Sequence, residues 1–107
     1  MLVLPIDGGR GLLVLAGATP QFKDKENGVA ATDRATGAPL VEVPLALTVE
    51  GGIPQVLRVS VPQPSVPRDL AVGQWVKATG LTLVAGEKNG RPWQIFRASA
   101  LTAVKPG

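Results

Sequence analysis

A chain of 107 residues with eleven Lys and Arg against eight Asp and Glu carries a net charge of +3, and 45% of it is hydrophobic. That length holds one core and leaves no room for a catalytic domain beside a separate recognition domain, so residues 1–107 are expected to form a single domain; the apolar fraction excludes a disordered tail. The absence of Cys and His excludes zinc sites, thiol catalysis, disulfides and imidazole acid–base chemistry.

The opening apolar stretch is interrupted by Pro5, Asp7, Gly8, Gly9 and Arg10, with no basic region before it. It therefore reads as neither a signal peptide nor a membrane span, and a cytoplasmic protein is the expectation. Gly8-Gly9-Arg10-Gly11 lacks the Lys-Ser/Thr of a phosphate-binding loop and is expected to be a turn. Ten Pro and thirteen Gly break every window long enough for a helix, which leaves strands.

A first strand is expected over Gly11 to Phe22, followed by a polar connection over Lys23 to Gly37 with a turn at Asp33 to Gly37. Val41, Val43, Leu45, Leu47 and Val49 alternate with Glu42, Pro44, Ala46, Thr48 and Glu50, the period of a half-buried strand. Pro44 places that strand at an edge or a bulge. Gly51-Gly52 signals a turn, after which Leu57, Val59 and Val61 take one face and Val56, Arg58 and Ser60 the other, completing a hairpin. Pro62 to Gly73 is an irregular connection with at most one short helical turn. Two more strands, Gln74 to Ala85 and Pro92 to Val104, flank the tight-turn dipeptide Asn89-Gly90, and Gly80 marks a bend in the first of them. Five strands in this order imply an all-β fold, a small five-stranded Greek-key OB-type barrel with little or no helix; a two-sheet sandwich is the alternative.

The stretch Asn27 to Leu40, the alternating strand after it and the run Ile53 to Val61 resemble a known family. They are similar to the gene V type single-stranded DNA-binding proteins of filamentous phages and, more broadly, to small OB-fold DNA-binding proteins of bacterial mobile elements. Shared features are a Gly-Val before the first loop, a Gly-x-Pro opening the second strand, a Pro followed by alternating aliphatic and basic residues, and a basic hairpin near the end. The resemblance implies a homo-oligomer, with a dimer favoured, that coats single strands during replication or transfer of a mobile element. Where the family favours a Tyr just after the Gly-x-Pro, this chain has Leu40, and it has no Tyr anywhere.

Binding a single strand without sequence preference takes cations for the phosphates and flat rings for the bases. Lys23, Lys25 and Arg34 in the first long loop, Arg58 and Lys77 on mid-chain strands, and Lys88 and Arg91 in the last hairpin are the candidates for phosphates, with Arg97 just beyond. Trp93 and Phe22 are the candidates for stacking, whereas Trp75 and Phe96 are expected to be the bulkiest fillers of an otherwise aliphatic core. No nucleophile with a base and no carboxylate pair is visible, so an enzyme is not expected, nor is a cofactor or a metal. The expected partner is single-stranded DNA, with RNA or an oligosaccharide as other occupants of the same face. The competing expectation is a non-catalytic assembly or adaptor module whose charges only keep its surface solvated.

Overall fold

The computed structural model describes residues 2–7, 11–47 and 54–104. The Gly51-Gly52 turn, the end of the second strand run beyond Leu47 and Gly8 to Arg10 lie outside the described residues. Strand accounts for 59% of the structure and helix for 3%, so the fold is all-β. Its elements are β1 (Leu2–Pro5), β2 (Leu12–Val14), β3 (Thr19–Pro20), β4 (Phe22–Asp24), β5 (Val29–Ala30), β6 (Leu40–Leu47), β7 (Gln55–Pro62), a 3-10 turn (Gln63–Ser65), β8 (Trp75–Thr79), β9 (Thr82–Lys88), β10 (Arg91–Arg97) and β11 (Ala100–Ala103).

The strand segments exceed five because three of the five expected runs are broken and because β1 and β5 form outside them, β5 within the stretch expected to be a polar connection. The first becomes β2, β3 and β4, the fourth becomes β8 and β9, and the last becomes β10 and β11. With the runs counted as units, pairing goes around a ring. β2 and β3 pair antiparallel with β6, β6 with β7, β7 in parallel with β10, β10 with β9, and β8 with β2. The circuit closes because β8 and β9 are two halves of one bent run, which gives the strand order 1-2-3-5-4-1 of a partly open Greek-key OB barrel. The 3-10 turn is the short helical turn expected in the Pro-rich connection.

The bend sits at Gly80, whose φ of 65° lies in the left-handed region that only Gly occupies without strain. Its placement lets β8 pair with β2 and β11 while β9 turns away to pair with β1 and β10. Asn89 and Gly90, at φ 54° and 77°, supply the two positive φ angles that a tight hairpin requires.

Pro44 is not at an edge, since β6 lies between β7 on one side and β2 and β3 on the other. The Pro44 carbonyl accepts from the Leu15 N–H, so its ring nitrogen also points toward β2 and β3. It faces the break between them, where no donor is needed. β1 was not expected either; its three aliphatic residues become a strand because the outer edge of β9 offers partners from Thr82 to Ala85.

The core is aliphatic. Leu12, Val14, Val43, Leu45, Val59 and Val76 are fully enclosed, and they come from alternate positions of β2, β6, β7 and β8. Phe96 packs against this cluster as expected. Trp75 does not, being 38% exposed, because it alternates with the buried Val76 and so points outward, where its indole lies over Gly11. No helix among the described residues is long and apolar enough to cross a membrane.

Replacing Gly80 by Ala would impose the left-handed conformation on an L residue and bring a Cβ to 3.3 Å from the Ser99 hydroxyl. Urea unfolding should show Gly80→Ala less stable by about 1–2 kcal/mol, with an unchanged m-value.

Candidate functional site

Side chains alternate across a strand, and directly opposed residues share a face of the sheet. Because Val41, Val43 and Leu45 of β6 and Leu57, Val59 and Val61 of β7 are buried, the pairs Glu42–Ser60, Pro44–Arg58 and Ala46–Val56 lie on the outer face. β10 continues it. Phe96 lies beside the buried Val59 and Arg97 beside Ser60, so the two-residue period sets Arg91, Trp93, Ile95 and Arg97 in one outward row. Across the hairpin that row faces Lys88, Gly86, Val84 and Thr82 of β9. Glu87, opposed to Pro92, is on the reverse side and takes no part in the row.

Three adjoining depressions follow this face. At the hairpin tip an open one is bounded by Lys88, Arg91 and Trp93. In the middle a cavity of about 350 Å³ is lined by Trp93, Arg97, Arg34, Gln21 and Ser60, and its floor includes Val84, which is 3% exposed although it lies outside the barrel core. Beside it a cleft of about 470 Å³ is flanked by Arg58, Glu42, Val56 and Ile95. The Ser60 hydroxyl donates to the Gln21 side-chain oxygen, tying the end of β3 to β7 at the junction of the last two. Arg58 and Glu42 approach to 3.8 Å with the guanidinium largely in solvent, an ion pair of about 0–1 kcal/mol that an incoming phosphate can displace.

Trp93 is directly opposite Gly86. A Cβ at Gly86 would stand 2.6 Å from the indole Cζ2, so the ring lies flat on the Gly86 backbone. One face of the indole is thereby supported, and the side chain remains 37% exposed. A ring held flat from below, with its upper face open, can stack on a base at small entropic cost.

Of the residues singled out from the sequence, Arg34, Arg58, Lys88, Arg91 and Trp93 come together on this face. Lys23, Lys25 and Phe22 do not line its depressions; Phe22 and Lys23 are on β4 of the separate two-stranded β4–β5 sheet, with Phe22 exposed opposite Ala30, and Lys25 is in the turn that joins its strands. Lys77 is on β8, which is separated from β10 by β7, β6 and β2 along the sheet. Its outward side chain shares a strand face with Trp75, not with Trp93. Ile95 was not among the sequence candidates, and Arg97, set only beyond them in the last strand, is a full member of the site. The available signal was the two-residue period from Arg91 onward, which puts Arg97 on the face of Trp93 once the strand is accepted.

The β4–β5 hairpin has its own local electrostatics. Asp24 accepts from the Asn27 side-chain amide at 2.7 Å and from the Asn27 backbone N–H at 3.3 Å. These bonds hold its carboxyl below the ordinary aspartate value, the side-chain bond contributing most. Lys23 and Lys25 alternate with Asp24 and Glu26, so this hairpin adds little net charge to the face. Among the described residues no three Asp, Glu, His or Cys side chains are grouped as metal ligands.

No protein-family model, no curated protein and no solved structure matches the chain, so its function is read from this geometry.

Gly86→Ala should expel the indole from its seat. In a Trp75→Phe background, where only Trp93 emits, the emission maximum should shift to the red and iodide quenching should increase. For Asp24, a lowered folded-state pKa stabilises the hairpin above the unfolded aspartate value and ceases to do so as pH falls through its own. An NMR titration should find Asp24 below the ordinary range, with Asn27→Ala returning it toward that range.

Proposed function

We propose that this protein binds single-stranded DNA with little sequence preference along the outer face of β6, β7, β10 and β9. The observation that carries this reading is the row Arg91, Trp93, Ile95 and Arg97, flanked by Lys88, Arg34 and Arg58. Arg91 and Arg97 are six residues apart, about 20 Å along an extended strand, so cations stand at both ends of an apolar and aromatic stretch. That is the combination a single strand uses, with phosphates on the cations and a base on the supported indole. The resemblance to the filamentous-phage gene V family supports the same reading, as does the OB strand order, whose second and third strands and flanking loops form the usual ligand face.

A second reading, a homo-oligomeric assembly module, draws on one observation. β1 is an edge strand without charge, and its Leu2, Val3 and Leu4 are all substantially exposed, a feature that marks edges open to pairing. Its one Pro, at the end of the strand, removes a donor from that edge.

Titration with oligo-dT of about 30 nucleotides, followed by Trp emission, should saturate at low salt. With five cations on the face, log affinity should fall against log salt with a slope of roughly −3.5, and Arg97→Ala or Arg91→Ala should reduce its size by about 0.7. Lys77→Ala should leave both affinity and slope unchanged. An absence of saturable, salt-sensitive binding would overturn the proposal, and a stable oligomer in sedimentation with Trp emission indifferent to DNA would select the assembly module.

A further inference from the structure

The face just described does not end at Arg97. On the other side of that guanidinium lies a cavity of about 460 Å³, the size range of a small-ligand pocket. It is enclosed by the 33–38 turn, the Pro62–Ser65 corner after β7 and the bend at Gly80. Arg97 lines this cavity and the Trp93 cavity alike, and so does Asp33. Three segments distant in sequence thus wall a pocket that opens onto the row of cations.

Its chemistry is that of a slot for a flat, partly polar ring. Ala35, Ala38, Pro62 and Pro64 supply apolar walls, while Ser65 and Asp33 supply hydrogen-bonding groups. The Asp33 carboxylate is held in place through one oxygen, Oδ2, which accepts from the Thr36 N–H at 3.1 Å and the Thr36 hydroxyl at 2.8 Å. Its Oδ1 has no partner among the described residues, nor do the Ser65 hydroxyl and the Arg97 guanidinium. A carboxylate oxygen accepts only, and a serine hydroxyl rotates to donate or accept. Every nucleobase carries at least one ring N–H or amino donor and at least one acceptor, so this pair can satisfy any of them.

Resting on the strand-binding reading above, we infer that the cavity receives one unstacked nucleobase of the bound strand, with the adjoining phosphate on Arg97. The base leaves the path that runs over Trp93 and enters between the 33–38 turn and the Pro62–Ser65 corner. The Asp33 Oδ1 and the Ser65 hydroxyl take its polar edge, and Arg97 serves as the pivot between the stacked and the inserted nucleotide.

The test uses the full chain, isotopically labelled, titrated with an oligo-dT of about ten nucleotides while the Trp93 indole N–H and the backbone N–H groups of Thr36, Ser65 and Ser99 are followed by NMR. The expected result is that the indole and the cavity groups shift together with one affinity. Ala35→Phe, which fills the cavity from an exposed turn position, should weaken binding about tenfold, the loss of one well-held base, while the Trp93 signal still responds. A backbone oligomer of the same length lacking bases should shift Arg97 but leave Thr36 and Ser65 unmoved. If the indole responds and the cavity groups do not, or if Ala35→Phe binds like the parent, the inserted base is overturned and strand binding stands. If neither responds, both readings fall.

Discussion

The antiparallel ladder between β6 and β7 governs what every other part of the molecule can be. It pairs eight residues in unbroken register, from Leu40 with Pro62 to Leu47 with Gln55, and its side chains alternate with a period of two. A slip of one residue would turn the inward set of one strand to solvent, either Val41, Val43 and Leu45 with Glu42 driven inward, or Leu57, Val59 and Val61 with Arg58 driven inward. The cost of burying a charge unpaired and exposing three large aliphatic side chains is on the order of several kcal/mol. The register therefore decides which surface is the barrel interior and, by exclusion, which surface presents Arg58 and Ser60. β10 inherits that decision when it adds in parallel beside β7, and with it the outward row that includes Trp93 and Arg97.

The bend at Gly80 performs the complementary task. An unbent run from Trp75 to Lys88 would have to choose between closing the barrel against β2 and pairing with β10. By turning in the left-handed region, Gly80 allows both, and the second half projects as an arm with β1 and β10 on either side. The arm holds Gly86 under Trp93, so the flat ring, the bare backbone beneath it and the cations at the hairpin tip are all consequences of where the chain bends. The same bend contributes a wall to the cavity beyond Arg97, which links the barrel's construction to the shape of its outer face.

The charge distribution is uneven in a way that the net charge of +3 does not convey. Acids interleave with cations on the β4–β5 hairpin, whereas on the β9–β10 hairpin the acid at Glu87 is directed to the opposite face. Glu42 and Asp33 are the acids that border the candidate face; Glu42 is paired with Arg58, and Asp33 is held through Oδ2 by Thr36. A polyanion approaching from this side meets guanidinium groups at both ends of an apolar row.

The amino-acid sequence by itself determined what depends on neighbours close along the chain. The alternation of β6 and β7, the Asn89-Gly90 turn, the bend at Gly80 and the all-β character follow from local φ preferences and the two-residue side-chain period. Clustering of Arg34 with Arg58, Arg91 and Trp93 was also within reach, because the loops of an OB barrel flank its second and third strands. Only the tertiary structure decided that Lys77 is separated from β10 by three strands, that Trp75 faces outward while Phe96 packs inward, and that Leu2 to Pro5 becomes a strand at all. It also decided that Pro44 sits harmlessly in a central strand. Each of these depends on which segment lies alongside which, a matter of pairing between residues far apart in the chain, from Leu15 with Pro44 to Leu2 with Ala85, and no local period carries that information.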